Sequence, residues 1–272
     1  MRNRAGDAAS HRFHIVGASN AHARRGADPD NAAAGDGTPT QRESIMTRAT
    51  HAILSIGLLV AAPLAAQTAV VTFDNGGEGW DGNGSVETDG GNPGANFHFL
   101  IENFGIEARN SSNEAFIGDF TGSGEVTVGL DALTSSITFE GAEVSRNLVV
   151  EFRSHALAQD GYPYSSVWYV LSAIQADPVW HTYSVTFTPA STELPSGWGG
   201  YGAEDPVTFE PILPPGVTFA DVMATTDELA FTTYEPGWFY GFTDFDVRYD
   251  NIFVDRAGAS DVVFADGFDA AP

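Results

Sequence analysis

An all-β fold is predicted for this chain: an antiparallel two-sheet β-sandwich of jelly-roll type with one short helix near 218–226. Three observations predict it. Short runs rich in β-branched and aromatic residues recur through 67–256, separated by clusters of Gly, Pro, Asn and Asp. Several of these runs alternate polar and apolar residues with period two, the mark of a strand with one wet face. Between them no long segment repeats its apolar residues at helical spacing.

In chain order, residues 1–45 are rich in Ala, Arg, Asp, Gly and Asn with almost no large apolar side chains. Such a segment cannot bury a core and is predicted to be disordered, an over-extended reading frame. It is followed by "MTRATHAILSIGLLVAAPLAAQTA". Arg48 supplies a positive region, Ile53 to Ala62 an apolar core, and "PLAA" small residues for cleavage, so 46–66 reads as a secretory signal peptide starting at Met46 and cut after Ala66. The apolar run is short for a membrane span. The mature chain is therefore expected to be secreted or at the cell surface, without a transmembrane segment.

The domain proper spans 67–256. Its clearest strands are "AVVTFD" (69–74), "NFHFLI" (96–101), "EVTVGLDA" (125–132), "SITFE" (136–140), "NLVVEFRS" (147–154), "SVWYVLSA" (166–173), "WHTYSVTFT" (180–188) and "VRYDNIFVD" (247–255). In the seventh, Tyr183, Val185 and Phe187 fall on one face and Thr182, Ser184 and Thr186 on the other. Thr218 with Asp221 three residues on forms a capping box for a helix of one or two turns, whose apolar positions are Phe219, Val222 and Met223. Trp80 and Trp180 are expected in the core.

Composition narrows the function. All twelve basic residues are arginines and cysteine is absent, so disulfides, thiol catalysis and cysteine-ligated metal centres are excluded. From Gln67 onward 31 acidic residues face five arginines, a formal balance of −26. That surface repels phosphate backbones and excludes nucleic acid as a partner, while it suits divalent cations. The domain keeps three histidines, His98, His155 and His181, with no H-E-x-x-H spacing and no G-x-S-x-G elbow. "GGEGWDGNG" (76–84) nearly fits the calcium-binding nonapeptide of β-helices, but it occurs once and has Asn83 where an apolar residue belongs. It reads as the loop leaving the first strand.

Five segments in order carry a family resemblance: "TFDNGGEGW", "AFIGDFTGSGEVTVGLD", "WHTYSVTF", "TFADVMATTDELAF" and "YDNIFVD". Together the chain resembles the laminin B (laminin IV type A) module of bacterial secreted proteins, a relative of galactose-binding jelly rolls. Its "TTYEPGWFYGFTDFD" and its long "LPSGWGGYGAEDP" loop depart from the family pattern. The last residues, 257–272, contain "VVFADGFD", similar to the "I-F-x-D-G-F-E" tails of gamma-proteobacterial exported proteins. In related jelly rolls a calcium ion ties the first strand to the last. The resemblance implies a structural Ca2+ here, with Asp74, Asp89 and Asp250 as ligands and Glu78 in a nearby loop; otherwise Asp250 hydrogen-bonds a turn and Asp74 faces water.

Two further patterns bear on chemistry. "DFDVRYD" sets Asp244, Asp246, Arg248 and Asp250 on one strand face, a row able to hold a cation, to bind sugar hydroxyls, or to place two carboxylates for glycoside hydrolysis. Aromatic residues sit among glycine and proline in three loops: Trp198 and Tyr201; Trp238 and Tyr240; Tyr162 and Tyr164. Such rings either form platforms for sugar rings or plug the ends of the sandwich. The expected function is an exported, non-enzymatic module that binds an extracellular glycan or matrix. The alternatives are a secreted polysaccharide-acting hydrolase or lyase, and an envelope adhesion protein with a protein ligand.

Overall fold

The structure, a computed structural model, describes residues 67–258. The segments 1–45 and 46–66, and the tail beyond Gly258, lie outside the described residues. In order, the elements are β1 (Gln67–Val71), β2 (Trp80–Gly82), β3 (Ser85–Gly91), β4 (Gly94–Asn103), β5 (Glu107–Asn110), β6 (Ser123–Phe139), β7 (Ala142–Glu143), β8 (Arg146–Ser154), β9 (Ser165–Ile174) and β10 (Asp177–Phe187). Then follow β11 (Trp198–Tyr201), β12 (Ala203–Glu204), β13 (Pro211–Ile212), α1 (Phe219–Ala224), β14 (Glu228–Thr232) and β15 (Thr243–Gly258).

These strands build the expected antiparallel sandwich. Sheet I has the order β10-β6-β15-β4-β3, with β1 added along β15 and β7 on β6. Sheet II has the order β11-β9-β8-β14-β5-β2, and β12 and β13 form a separate small hairpin. Consecutive hairpins (β3–β4, β6–β7, β8–β9) are joined within the sheets by pairs far apart in sequence, such as β15 with β4 and β6 and β14 with β5. The core fills the space between the sheets. Phe97, Phe99, Val128, Leu130, Val247 and Tyr249 come from sheet I, and Leu148, Val150, Phe152, Val167, Leu229 and Phe231 from sheet II. Burying each such side chain contributes about 1.5–3 kcal/mol.

Two differences from the expected strands have physical causes. The runs at 125–132 and 136–140 are one strand, β6, because the intervening "LTS" contains no Gly or Pro and a shift in register opposite it, between Asp246 and Val247, absorbs the irregularity. The short strands β2, β5 and β11 were invisible in the pattern, since "WDG", "EARN" and "WGGY" are polar or glycine-rich. The helix is as expected: Thr218 caps α1, accepting from the Asp221 amide while the Asp221 carboxylate accepts from the Thr218 amide. Trp80 is buried, edge-on to Phe116 at 5.3 Å. Trp180, expected in the core, lies only half-buried on β10, the outermost strand of the sheet I path, where no strand covers its far side.

Candidate functional site

Period-two alternation divides β8 between core and outer face. Leu148, Val150 and Phe152 enter the core, so Glu151 and Arg153 must stand on the opposite side of sheet II. Pairing sets their neighbours: Arg153 lies opposite Ser166 of β9 and Glu228 of β14, and Glu107 follows one strand further on in β5. The result is a charge network on the outer face. Arg153 donates through Nη1 to Glu228 at 2.7 Å, through Nη2 to Glu107 at 2.7 Å, and through Nε and Nη2 to Glu151 at 2.8 and 2.6 Å. The second oxygen of Glu151 accepts from Ser166 Oγ at 2.5 Å. Arg109 extends the network outward, donating to Asp81 at 3.0 Å and lying 3.6 Å from Glu107 and 3.9 Å from Glu228.

The network is graded in depth. Glu151 and Arg153 are 1 % and 5 % exposed, whereas Asp81 at the outer end is open to solvent. Burial alone would pull the Arg153 guanidinium below its usual range; Glu151 and Glu107 outweigh it and raise the value instead. Close backbone approach holds Glu107 in place. Gly82 has φ +153°, and a Cβ there would sit 1.9 Å from the Glu107 carbonyl oxygen, so only glycine allows β2 to lie against β5.

Three tyrosines wall one end of this face. The Tyr164 ring covers the Arg153 guanidinium at 5.0 Å, Tyr201 meets Tyr164 at 5.3 Å, and Tyr162 meets Tyr201 edge-on at 5.3 Å. His155, hydrogen-bonded to Asp227 at 2.7 Å, lies 5.5 Å from Tyr164. Burial, and after it the Glu151 charge, pushes the phenols of Tyr164 and Tyr201 above their usual value, so both stay neutral O–H groups. Tyr162 is raised as well, by burial and then by Glu204 of β12. At its other strand the β12–β13 hairpin packs Pro211 against Gly237, where a Cβ would meet Pro211 Cδ at 2.9 Å. One hairpin thus touches both the tyrosine cluster and the loop that carries Trp238.

The predicted aromatic residues divide accordingly. Tyr162, Tyr164 and Tyr201 are brought together. Trp198 does not join them: it is 8 % exposed and packs in the core on Phe187 at 4.9 Å and Phe219 at 5.0 Å. It lies three positions from Tyr201 along β11, an odd offset, so the two side chains point to opposite faces. Trp238 is open to solvent at 66 % exposure, beside Phe239 and Phe242, which lie 4.8 and 4.0 Å from Phe104. Tyr240 covers the Arg146 guanidinium at 4.4 Å and is half-buried, so its ring is a lid rather than an open platform.

On the outer face of sheet I the acidic row is present but occupied. Asp246 accepts from Arg248 at 3.1 Å and pairs with His98 at 2.8 Å, and Glu87 takes the other His98 nitrogen at 2.8 Å. Asp74, past the end of the first strand, and Asp250, on the last strand, both clasp the turn between β3 and β4 through hydrogen bonds. Asp250 accepts from the Asn92 amide at 2.5 Å and the Asn251 amide at 2.6 Å, and Asp74 from the Ala95 amide at 3.0 Å. N–H donors therefore reach both Asp250 oxygens and one oxygen of Asp74, the two carboxylates that the resemblance offers as calcium ligands together with Asp89. Asp89 enters only through its carbonyl, which accepts from Asn96 at 2.7 Å. Among the described residues no group of three or more His, Asp and Glu side chains is arranged to hold a metal ion. A shallow groove of about 400 Å3 beside the clasp is lined by Asp131, Asn251, Phe253 and Asp255, and both of its carboxylates are likewise tied, to Thr182 and Thr68 among others.

The residues that sequence reasoning missed are Glu107, Glu151, Arg153 and Glu228. A signal was present: "EAR" (107–109) and "EFR" (151–153) each place Glu and Arg two apart, hence on one face. What the pattern could not reveal is that β14 sets the two pairs side by side.

No family model and no curated protein matches the sequence. Among solved structures the fold is similar to an exo-β-agarase, with a TM-score of 0.41 and 11 % identity over 71 % of this chain and 26 % of that one. It is also similar to a family 11 carbohydrate-binding module from Clostridium thermocellum, solved with a β-1,3-1,4-mixed-linked tetrasaccharide, with a TM-score of 0.35 and 11 % identity over 73 % of this chain and 92 % of that one. The chain thus spans about a quarter of the agarase. At this level of similarity neither neighbour's ligand nor activity passes to this protein. Among the described residues no helix is long and apolar enough to cross a membrane.

Proposed function

We propose that this chain is an exported, non-enzymatic binding module whose ligand is a glycan, held on the outer face of sheet II. One observation carries the reading: aromatic rings that contact one another, Tyr162 on Tyr201 on Tyr164, adjoin a fixed row of carboxylates. Sugar rings present apolar C–H faces and polar edges, and this juxtaposition offers a partner to each. Trp238, next to the Gly237 that the hairpin's Pro211 packs on, is a further, solvent-exposed ring. Export rests on the signal-like segment 46–66.

Binding rather than catalysis is supported by the state of the acidic groups. Glycoside hydrolysis uses a pair of carboxyl groups that both reach the scissile bond. Here Glu107, Glu151 and Glu228 are all engaged by Arg153, and Asp246 by Arg248 and His98.

Affinity electrophoresis of the full chain through gels containing soluble polysaccharides tests the reading. Retardation by at least one polysaccharide is expected, weakened in Tyr201→Ala and Tyr162→Ala. Free migration through every gel in a broad panel, or retardation unchanged by both substitutions, would overturn it.

A further inference from the structure

We infer that the glycan bound on sheet II is uncharged, and that uronate and sulfate polysaccharides are refused. The inference rests on the binding reading above and adds the substrate class. Recognition of an anionic sugar needs a cation that is free to pair with it, ideally an arginine whose fork is open. The chain has no lysine, and His155, the histidine beside the tyrosines, is held by Asp227, which leaves the arginines.

All five arginines among the described residues are already committed. On the candidate face Arg153 spends its three nitrogens on Glu107, Glu151 and Glu228, beneath the Tyr164 ring. Arg109, the more exposed of the two, stands among Asp81, Glu107 and Glu228. Two guanidinium groups against four carboxylates leave the face formally at −2. Elsewhere Arg248 is paired with Asp246. Arg146 faces no carboxylate but is buried, and Arg256 is half-buried within reach of the Asp119 charge. Arg146 is buried under Tyr240 and donates to Ser145 and Thr243, and Arg256 lies 3.8 Å from the centre of the Phe120 ring and donates to three backbone carbonyls.

An anionic sugar approaching Tyr162 and Tyr201 would therefore meet like charge at the contact and a strongly acidic surface at longer range. A neutral sugar meets carboxylate acceptors and phenol O–H groups that both donate and accept. Glu107 and Glu228, each held by Arg153 through one oxygen, keep the other oxygen in a fixed place, so binding needs little reorganisation of the face.

Affinity electrophoresis of the full chain tests this with two sets of gels: neutral polysaccharides (agarose, mixed-linkage β-glucan, xylan, galactomannan) and anionic ones (alginate, polygalacturonate, carrageenan). The expected result is retardation in one or more neutral gels, at least about tenfold stronger than in any anionic gel. Retardation in the neutral gels should also be unchanged when salt is raised from about 50 to about 500 mM, since no ion pair is made with the ligand. Retardation in anionic gels equal to or above that in neutral ones, or lost with salt, would overturn the inference while leaving glycan binding intact. Free migration in every gel would instead overturn the binding reading itself.

Discussion

Arg153 and Glu151 stand two residues apart on β8, and two nitrogens of the arginine converge on one oxygen of the glutamate at 2.8 and 2.6 Å. Because they lie on the face turned away from the core, their burial is produced by what crosses above them, the Tyr164 ring included. A buried pair of this kind is sensitive to the loss of one partner more than to the loss of both. Arg153→Ala leaves three glutamates facing one another, and a loss of about 3–5 kcal/mol is expected in urea unfolding. The double variant Arg153→Met with Glu151→Met should recover part of that loss; a double variant less stable than the single one would show that the network is not the cause.

Trp198→Ala and Trp238→Ala should behave in opposite ways. The first removes a ring packed on Phe152, Phe187 and Phe219 and is expected to cost about 3–5 kcal/mol of stability. The second removes a solvated ring, so stability should stay within about 0.5 kcal/mol. If Trp238 touches the glycan, its loss weakens binding by about two- to tenfold. Thermal melts and affinity electrophoresis on the two variants check both halves.

Gly82→Ala is expected to destabilise the protein by more than the ordinary preference of a strand for alanine could repay, because both the φ of +153° and the Glu107 carbonyl stand in the way of a Cβ. Since β5 carries Glu107 and Arg109, the same change should weaken glycan retardation. Retention at wild-type strength in the Gly82→Ala protein would separate the site from this strand contact.

The clasp makes a prediction in pH. Burial, and then the charges of Asp131 and Asp74, raises the pKa of Asp250 above its ordinary 3.8, against the lowering effect of the two amides. A carboxyl that binds its proton more tightly in the folded than in the unfolded state adds stability that is fully present below the unfolded value and lost as pH rises through the folded one. Stability of the wild type relative to Asp250→Asn should therefore fall between pH 3.8 and the raised value. Urea midpoints measured across the acid range decide it, and a difference that rises with pH would refute the assignment.

The same clasp bears on calcium. Chelation decides whether Asp74 and Asp250 also hold an ion: an unchanged melting temperature leaves the clasp to its amides. A drop of several degrees would restore an ion to the turn at 91–95.

The sandwich, its helix and its main strands were legible in the sequence because they depend on local periodicity. Alternation places Phe187 inward and Thr186 outward wherever β10 ends up, and Thr218 with Asp221 caps α1 without help from elsewhere. For Trp198 the tertiary structure had first to show that β11 is a strand; its odd spacing from Tyr201 then sends it into the core. The tertiary structure alone decided which strands are neighbours. Glu107, Arg153 and Glu228 meet across separations of 46 and 75 residues, and Asp250 meets Asn92 across 158. Period two specifies a face but not a partner strand, so a single sequence could show that these residues look outward without showing that they look at each other.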